Sequence, residues 1–391
     1  MNVVHLLTFL DSQTGGMERQ ALQLVLRLRS QGVRAFFITC THRKQMRREH
    51  LPWHGHFHDV EIYRIPLIAG WGRLNALMYL VGAVGLLVYL RRRYRVIHAH
   101  QLHTSGFVAA LAKTIVRTKK LVVKNCCGGS FGDVRNVSRL PFARFAIYLM
   151  KRSVDRWIAI SEETQREMEE LSCSHIALIP NGVDTEYFFG DDEVSDESLC
   201  NRYAPDSSTR IVLFVGKLDP QKNVGSLIEA MARVENAVLL IVGTGALQKT
   251  LEQVARSSKV SHRVHWCGTT IDVRPFYRMA DVLALPSFAE GSPNVLLEAM
   301  SMGTVCVGSD IASVRALIED GRNGYLSACD AVSIASTLQR ALRESTPDVS
   351  RRARETILRH HDFKTITKRY ATLYRELCYP EQQHHSDRWQ T

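Results

Sequence analysis

Short apolar runs alternate with stretches of helical periodicity along nearly the whole chain. That alternation predicts parallel sheets built from β-α-β units. In the first half the runs are Val3–Phe9, Ala35–Thr39, Val96–Ala99, Leu121–Val123, Trp157–Ile160 and Ile176–Ile179. In the second half they are Ile211–Val215, Ala237–Val242, Val264–Cys267, Val282–Leu285 and Thr304–Val307. Two α/β domains, each wound as a Rossmann-like unit, account for the 391 residues. The stretch from Asp184 to Ser208 is acidic and without strong periodicity, so it reads as the connection between them. The predicted organisation is a first domain over 1–185, a linker over 186–208 and a second domain over 209–362. A helix over 363–378 and a disordered tail over 379–391 follow.

Two segments depart from this pattern. Leu74–Leu90 is apolar apart from Asn75, contains Gly82 and Gly85, and runs into Arg91-Arg-Arg-Tyr-Arg95. It is marginally short for a membrane span and reads as a packed helix of the first sheet, with a membrane-touching face as the alternative. Residues 139–152 mix aromatic and basic side chains at near-helical spacing. That suits an interfacial amphipathic helix, or a core-facing helix with snorkelling arginines. Charge sharpens the picture. Residues 1–185 carry 26 Lys/Arg against 13 Asp/Glu, whereas the remainder carries 24 against 26. A basic first half implies an anionic partner. No nucleic-acid-binding motif is present, so an anionic membrane face or a phosphate-bearing acceptor fits better. Nine cysteines without paired spacing indicate a reducing compartment. The first residues read as a buried strand and not as a signal peptide.

Candidate chemistry concentrates at strand ends. After Val282–Leu285 comes a polar turn with Glu290 and Gly291, then a helix with Ser292 as expected N-cap and Pro293 at the first helical position. The start of that helix, Ser292 to Val295 including Asn294, presents backbone donors and partial positive charge. Glu290 and Glu298 add carboxylates at Glu-x7-Glu spacing, which on its own also describes a solvated pair on a surface helix. Gly15-Gly16 precedes the helix Glu18–Arg29 and lets backbone approach a phosphate, or makes a simple tight turn. Lys217 and Lys222 flank the turn after Ile211–Val215. Gly243 and Gly245 close the next strand, and Gly268 the one after. His98-Ala99-His100 ends a strand and His103 follows. His-x-His puts two side chains on one face without a third ligand, so no metal site is expected.

The order of these motifs resembles the retaining glycosyltransferases of the GT-B fold, in the manner of glycosyltransferase family 4 and the bacterial group 1 enzymes. The residues that carry the resemblance are Gly15-Gly16-Met17-Glu18-Arg19, Ile179-Pro-Asn-Gly-Val-Asp184, Phe214-Val-Gly-Lys-Leu-Asp-Pro-Gln-Lys222 and the stretch 281–324. It spans roughly residues 1–375. The resemblance implies two Rossmann-like domains facing a central cleft, the last helix crossing back to the first domain. It implies a nucleotide-diphosphate sugar as donor substrate with no separate cofactor. Lys217 and Lys222 would neutralise the leaving diphosphate, Glu290 would contact the transferred sugar and Glu298 the ribose. Most relatives have arginine at the position of Lys217, and lysine lacks its bidentate fork. Gly243, Gly245 and Gly268 would form turns along the nucleotide. Many relatives carry a histidine where this chain reads Lys124-Asn-Cys-Cys-Gly-Gly-Ser130; His100, His103 and Asn125 are the candidates for sugar or acceptor contacts.

The implied activity is hexosyl transfer from a UDP- or GDP-sugar to a glycan or lipid-linked acceptor, in cell-surface polysaccharide or glycolipid synthesis. The implied place is the cytoplasm, peripheral on the inner face of the cell membrane. Two competing readings are a non-catalytic binding subunit that keeps the fold and a sugar-nucleotide epimerase on the same architecture. Intact Lys222, Glu290 and Glu298 disfavour the first; the motif order disfavours the second.

Overall fold

In the computed structural model the apolar runs become parallel strands. It describes residues 1–10, 15–68, 72–129, 132–139, 142–189, 203, 206, 208–344 and 346–380. The expected tail from 381 onward and most of the expected linker lie outside the described residues. The chain divides into two units, Met1–Asn181 with the chain from Lys364 onward, and Gly182–Phe363.

The first unit holds β1 (Asn2–Phe9), β2 (Arg34–His42), β3 (His54–Phe57), β4 (Val60–Leu67), β5 (Val96–His100), β6 (Lys120–Lys124), β7 (Arg156–Ala159) and β8 (Ile176–Leu178). Their order is β3-β4-β2-β1-β5-β6-β7-β8, parallel throughout except for the antiparallel β3–β4 pair. β4 was not anticipated. Its sequence breaks the apolar run with Glu61, Arg64 and Pro66, yet Arg64 is buried and donates to the Pro52 carbonyl at 3.1 Å.

The helix Gly72–Tyr89 packs on this sheet through Tyr79, Ala83 and Leu87. A methyl group at Gly82 would stand 2.8 Å from Ile65 Cγ2, so glycine lets the helix approach the strand. The opposite side of the helix exposes Arg73, Leu77, Val81, Gly85 and Tyr89 at intervals of four. The reading as a packed helix of the first sheet therefore holds, with one side left exposed. In the helix Ala143–Ser153, Ala146 and Met150 face inward while Phe145 and Tyr148 are exposed.

The second unit holds β9 (Arg210–Val215), β10 (Ala237–Val242), β11 (Val264–Gly268), β12 (Val282–Leu285), β13 (Val305–Ser309) and β14 (Tyr325–Ser327). The order β11-β10-β9-β12-β13-β14 is that of a doubly wound nucleotide-binding sheet. β10 is buried along its whole length. Leu239 and Ile241 enter one core and Val238, Leu240 and Val242 the other, as expected of a parallel strand covered on both faces.

The sequence places the first boundary at residue 185, but residues 182–185 pack with the second unit. Val183 bridges to Asp362, its N–H donates to the His361 carbonyl at 2.8 Å, and Thr185 Oγ1 donates to Asp362 Oδ1 at 2.7 Å. The Ile179–Asp184 motif thus marks the crossover between the units. From Lys364 the last helix, Phe363–Cys378, belongs to the first unit, where Tyr374 OH lies 2.6 Å from His98 Nδ1.

Candidate active site

Strand order reverses between β9 and β12, and ligands of open α/β sheets bind beyond the carboxyl ends of strands at such a switch point. The loops that leave these two strands are laced together. Asn223, in the left-handed region at φ 52°, donates from Nδ2 to the Pro286 carbonyl at 3.1 Å and the Cys329 carbonyl at 2.7 Å. Gln221 donates to the Ala289 carbonyl at 2.7 Å and accepts from Phe288 N–H at 2.9 Å. Asp219 caps the short turn by accepting from Lys222 N–H at 3.3 Å.

This scaffold brings Lys222 Nζ to 2.6 Å from Glu290 Oε1. The Lys222 side chain is 20% exposed and that of Glu290 8%, so the pair has limited access to water and its charges are held in fixed places. The sequence reading gave the two residues separate jobs; the structure makes them direct partners. Lys217 does not join them. It is exposed and forms no ion pair among the described residues.

Glu298 is 5% exposed and accepts from Tyr277 OH at 2.8 Å. A solvated pair on a surface helix is thereby excluded for both glutamates. Tyr277 was not legible as a site residue, although Thr304 Oγ1 also fixes its backbone carbonyl at 2.8 Å. The helix itself runs Asn294–Ser301 with Pro293 as N-cap, one residue later than the sequence suggested, and Ser292 makes no capping bond. Extended backbone at Pro293, ψ 97°, excludes it from the first helical turn.

Backbone packing requires glycine at two of these turns. A methyl group at Gly243 would fall 1.9 Å from the Gly216 carbonyl oxygen, and one at Gly245 2.2 Å from that of Leu218. They let the loop after β10 lie directly on the loop after β9, where Leu218 N–H meets the Thr244 carbonyl at 3.0 Å. Gly268 has φ 67° with open space beyond its Cα.

In the first unit, Gly15 caps the helix Gly16–Leu28 with ordinary extended backbone, next to the Glu18 carboxylate. The rest of that loop, 11–14, lies outside the described residues. His100 is a correction. Sheet pairing aligns His5 with His98, and these two with His100 form a buried stack. His5 Nδ1 lies 3.0 Å from His100 Nε2, and the rings of His98 and His100 are 4.3 Å apart and tilted by 17°. His100 is thus a core residue with no free face for a sugar. The third imidazole, invisible in His-x-His spacing, comes from β1. Ring nitrogens of the three lie within 4.8 Å of one another, so the expectation that no third ligand is at hand is corrected, while the tie to Tyr374 and the neighbouring Lys124 ammonium weigh against a dication. Lys124, itself buried, donates to Asn181 Oδ1 at 2.9 Å.

Burial and the Lys124 charge lower the His5 pKa to about 3, and burial lowers those of His98 and His100 as well. A neutral form favoured by folding means that protons are taken up on unfolding. Stability is therefore full above the unfolded value, about 6.5, and falls as pH drops below it. At pH 5.5 His5 alone costs about 1.4 kcal/mol, and His98 and His100 act in the same direction. Thermal melts from pH 7.5 to 5.5 check this, and His5→Gln should flatten the dependence. A melting temperature independent of pH in that window would contradict it.

Asp133, buried, accepts from Cys126 N–H at 2.9 Å and Leu102 N–H at 3.3 Å, and lies 3.4 Å from His103 Nδ1. It ties the loop after β5 to the loop after β6. Asn125 is buried and accepts from Cys127 N–H at 3.4 Å. Burial pushes the thiol of the neighbouring Cys126 up to about 12.

Two family profiles match the chain, "Glycosyltransferase Family 4" over residues 14–187 and "Glycosyl transferases group 1" over 209–344. The chain is a group 1, family 4-like glycosyltransferase. It is 25% identical over 292 residues to N-acetyl-alpha-D-glucosaminyl L-malate synthase of Bacillus anthracis, covering 73% of this chain and 75% of that one. It is 25% identical to the putative teichuronic acid biosynthesis glycosyltransferase TuaC of Bacillus subtilis, covering 70% and 71%. Among solved structures, sucrose-phosphate synthase of Thermosynechococcus elongatus superposes with a TM-score of 0.80 at 20% identity, covering 97% and 100%. The HepE protein of Anabaena in complex with UDP superposes with a TM-score of 0.76 at 21% identity, covering 96% and 99%. The glycosyltransferase thus has the GT-B fold and acts in polysaccharide or glycoconjugate synthesis.

Proposed function

We propose that this glycosyltransferase is a retaining, metal-independent hexosyltransferase that uses a nucleotide-diphosphate sugar. The observation that carries the reading is the Lys222–Glu290 pair at the switch point, one cation and one carboxylate fixed in a water-poor loop junction. The Lys222 ammonium and the helix start at Asn294 supply positive charge for a leaving diphosphate. Glu290 accepts hydrogen bonds from sugar hydroxyls and Glu298 from the ribose. The displacement in this reading is front-side and dissociative, with the leaving phosphate taking the acceptor proton. Catalysis is then mostly positioning and leaving-group stabilisation. Complexes of the Anabaena neighbour with UDP-glucose support a UDP-sugar as donor.

The acceptor in this reading is a glycan or lipid-linked sugar, met at the inner face of the cell membrane. Support comes from the exposed Leu77, Val81, Phe145 and Tyr148 on helices of one unit that also carries the excess of basic residues. Vesicles with anionic lipid should bind the protein, and salt should weaken that binding. Equal recovery in the supernatant with anionic and neutral vesicles at low salt would refute it.

A panel of nucleotide sugars tests the central reading. One UDP- or GDP-sugar should raise the melting temperature and be turned over in the presence of EDTA, with retained anomeric configuration. Turnover lost on chelation and restored by manganese or magnesium overturns metal independence. A panel with no ligand overturns the whole reading.

A further inference from the structure

We infer that the edge hairpin of the first unit binds neutral glycan chains, on a platform of Trp53 and His54 laid over Tyr63 and set apart from the candidate active site. The inference goes beyond the donor and acceptor readings above and rests only on the family's place in polysaccharide or glycoconjugate synthesis. β3 is the outermost strand of its sheet. In the antiparallel β3–β4 pair His54 stands opposite Tyr63 and His56 opposite Glu61, so these four side chains share one face. Tyr63 comes four residues before the end of β4, about 13 Å short of the carboxyl edge beyond which ligands of such sheets bind.

The rings are stacked from the core outward. Tyr63 is buried, and the exposed His54 ring lies on it with centroids 4.4 Å apart and a tilt of 13°. The Trp53 ring is 5.7 Å from His54 and 5.8 Å from Tyr63. Trp53 is 56% exposed, the one exposed tryptophan among the described residues. A lone exposed apolar side chain is ordinary. An exposed indole fixed beside a stacked pair is a flat, rigid face, and the negative face of an aromatic ring attracts the C–H face of a sugar ring. Polar groups for the hydroxyls stand next to it. Glu61 accepts from Arg93 Nη1 at 2.8 Å, Arg93 Nη2 at 2.9 Å and Tyr63 OH at 3.0 Å, and lies 2.8 Å from His54 Nε2. Burial opposes the Glu61 charge, but hydrogen bonds from Arg93, His54 and Tyr63 outweigh it and lower its pKa to about 2. The Arg93 guanidinium is half exposed and has five donors, more than Glu61 and Tyr63 take.

The platform is held from beneath. The buried Arg64 donates its N–H to the Trp53 carbonyl at 2.7 Å and Nη1 to the Pro52 carbonyl at 3.1 Å. The hairpin closes through His58 and Asp59, both in the left-handed region at φ 46° and 62°. A surface ordered in advance loses little entropy when it binds. Charge decides the class of ligand. Residues 1–185 carry 26 Lys/Arg against 13 Asp/Glu, yet here one guanidinium is balanced by one carboxylate. A balanced patch of rings suits a neutral polyhydroxyl chain; a nucleic acid or an anionic lipid would call for unopposed cations.

The test is affinity electrophoresis of the full chain in native gels cast with dextran, mannan or galactan as neutral glycans, and with heparin as the anionic control. At least one neutral glycan should retard wild type. Trp53→Ala should weaken that retardation by about 10-fold or more, and Trp53→Phe should keep most of it. Trp53 lies outside the core, so both variants should melt like wild type and bind nucleotide sugar unchanged. Wild type that no neutral glycan retards overturns the inference. So does Trp53→Ala retarded as strongly as wild type, which would place the glycan elsewhere on the chain. Retardation by heparin alone marks a general contact with anions and overturns it too. A wild-type dimer that Trp53→Ala converts to monomer, with no glycan retardation, assigns the platform to a second copy and against glycan. No turnover is read, so an empty nucleotide-sugar panel sinks the donor reading without touching this result.

Discussion

Replacing Lys222 by alanine is expected to lower the rate of sugar transfer by about 10²–10³-fold, the usual cost of removing one preorganised charge-stabilising group. Donor binding should weaken less, because the charge that Lys222 meets grows as the diphosphate leaves. The structure adds a second expectation. Lys222 Nζ and Glu290 Oε1 are 2.6 Å apart, so each fixes the other's position. The effects of Lys222→Ala and Glu290→Gln should therefore not add, and the double variant should be little worse than the poorer single one. Rates measured on all four proteins at saturating donor decide this. Near-normal turnover of Lys222→Ala removes the residue from the mechanism; strict additivity removes the coupling.

Legibility of the fold followed burial. β10 is apolar at every position because both faces are covered, and such strands announce themselves. β4 is also central, but Glu61, Arg64 and Pro66 interrupt it, and nothing local shows that Arg64 finds the Pro52 carbonyl. β14 has three residues, too few for any period to register. The site divides in the same way. Lys222, Glu290 and Glu298 came forward through the resemblance of their motifs, and the structure places Lys222 against Glu290 and buries Glu298. Asn223, Gln221, Tyr277 and Asp133 were not legible, since each acts through a partner distant in sequence; Tyr277 and Glu298 are 21 residues apart. His100 misled for a related reason. A strand end predicts exposure toward a ligand, whereas pairing with β1 sets His5 next to it and closes the stack. At Gly243 and Gly245 the structure adds a demand the sequence does not show, backbone packed on backbone within the protein.

Glu290 and Glu298 should separate cleanly in binding experiments. Glu298→Gln is expected to weaken the free nucleoside diphosphate and the intact sugar donor alike, by about 10- to 100-fold, since a neutral amide forfeits charge-assisted hydrogen bonds worth roughly 1.5–3 kcal/mol. Tyr277→Phe, which removes the hydroxyl that holds Glu298 at 2.8 Å, should reproduce a weaker form of the same loss, about 5-fold. Glu290→Gln should behave differently. It removes the carboxylate that engages Lys222, leaving the ammonium free for the diphosphate, so nucleoside diphosphate binding should be unchanged or tighter while turnover falls. Calorimetry with the nucleotide alone and with the sugar donor reads the two roles independently. Equal loss of nucleotide affinity in both glutamate variants would show that Glu290 also serves the nucleotide. No change in either variant would leave the two carboxylates as structural groups, Glu298 holding Tyr277 and Glu290 holding Lys222, with the donor bound elsewhere on the sheet edge.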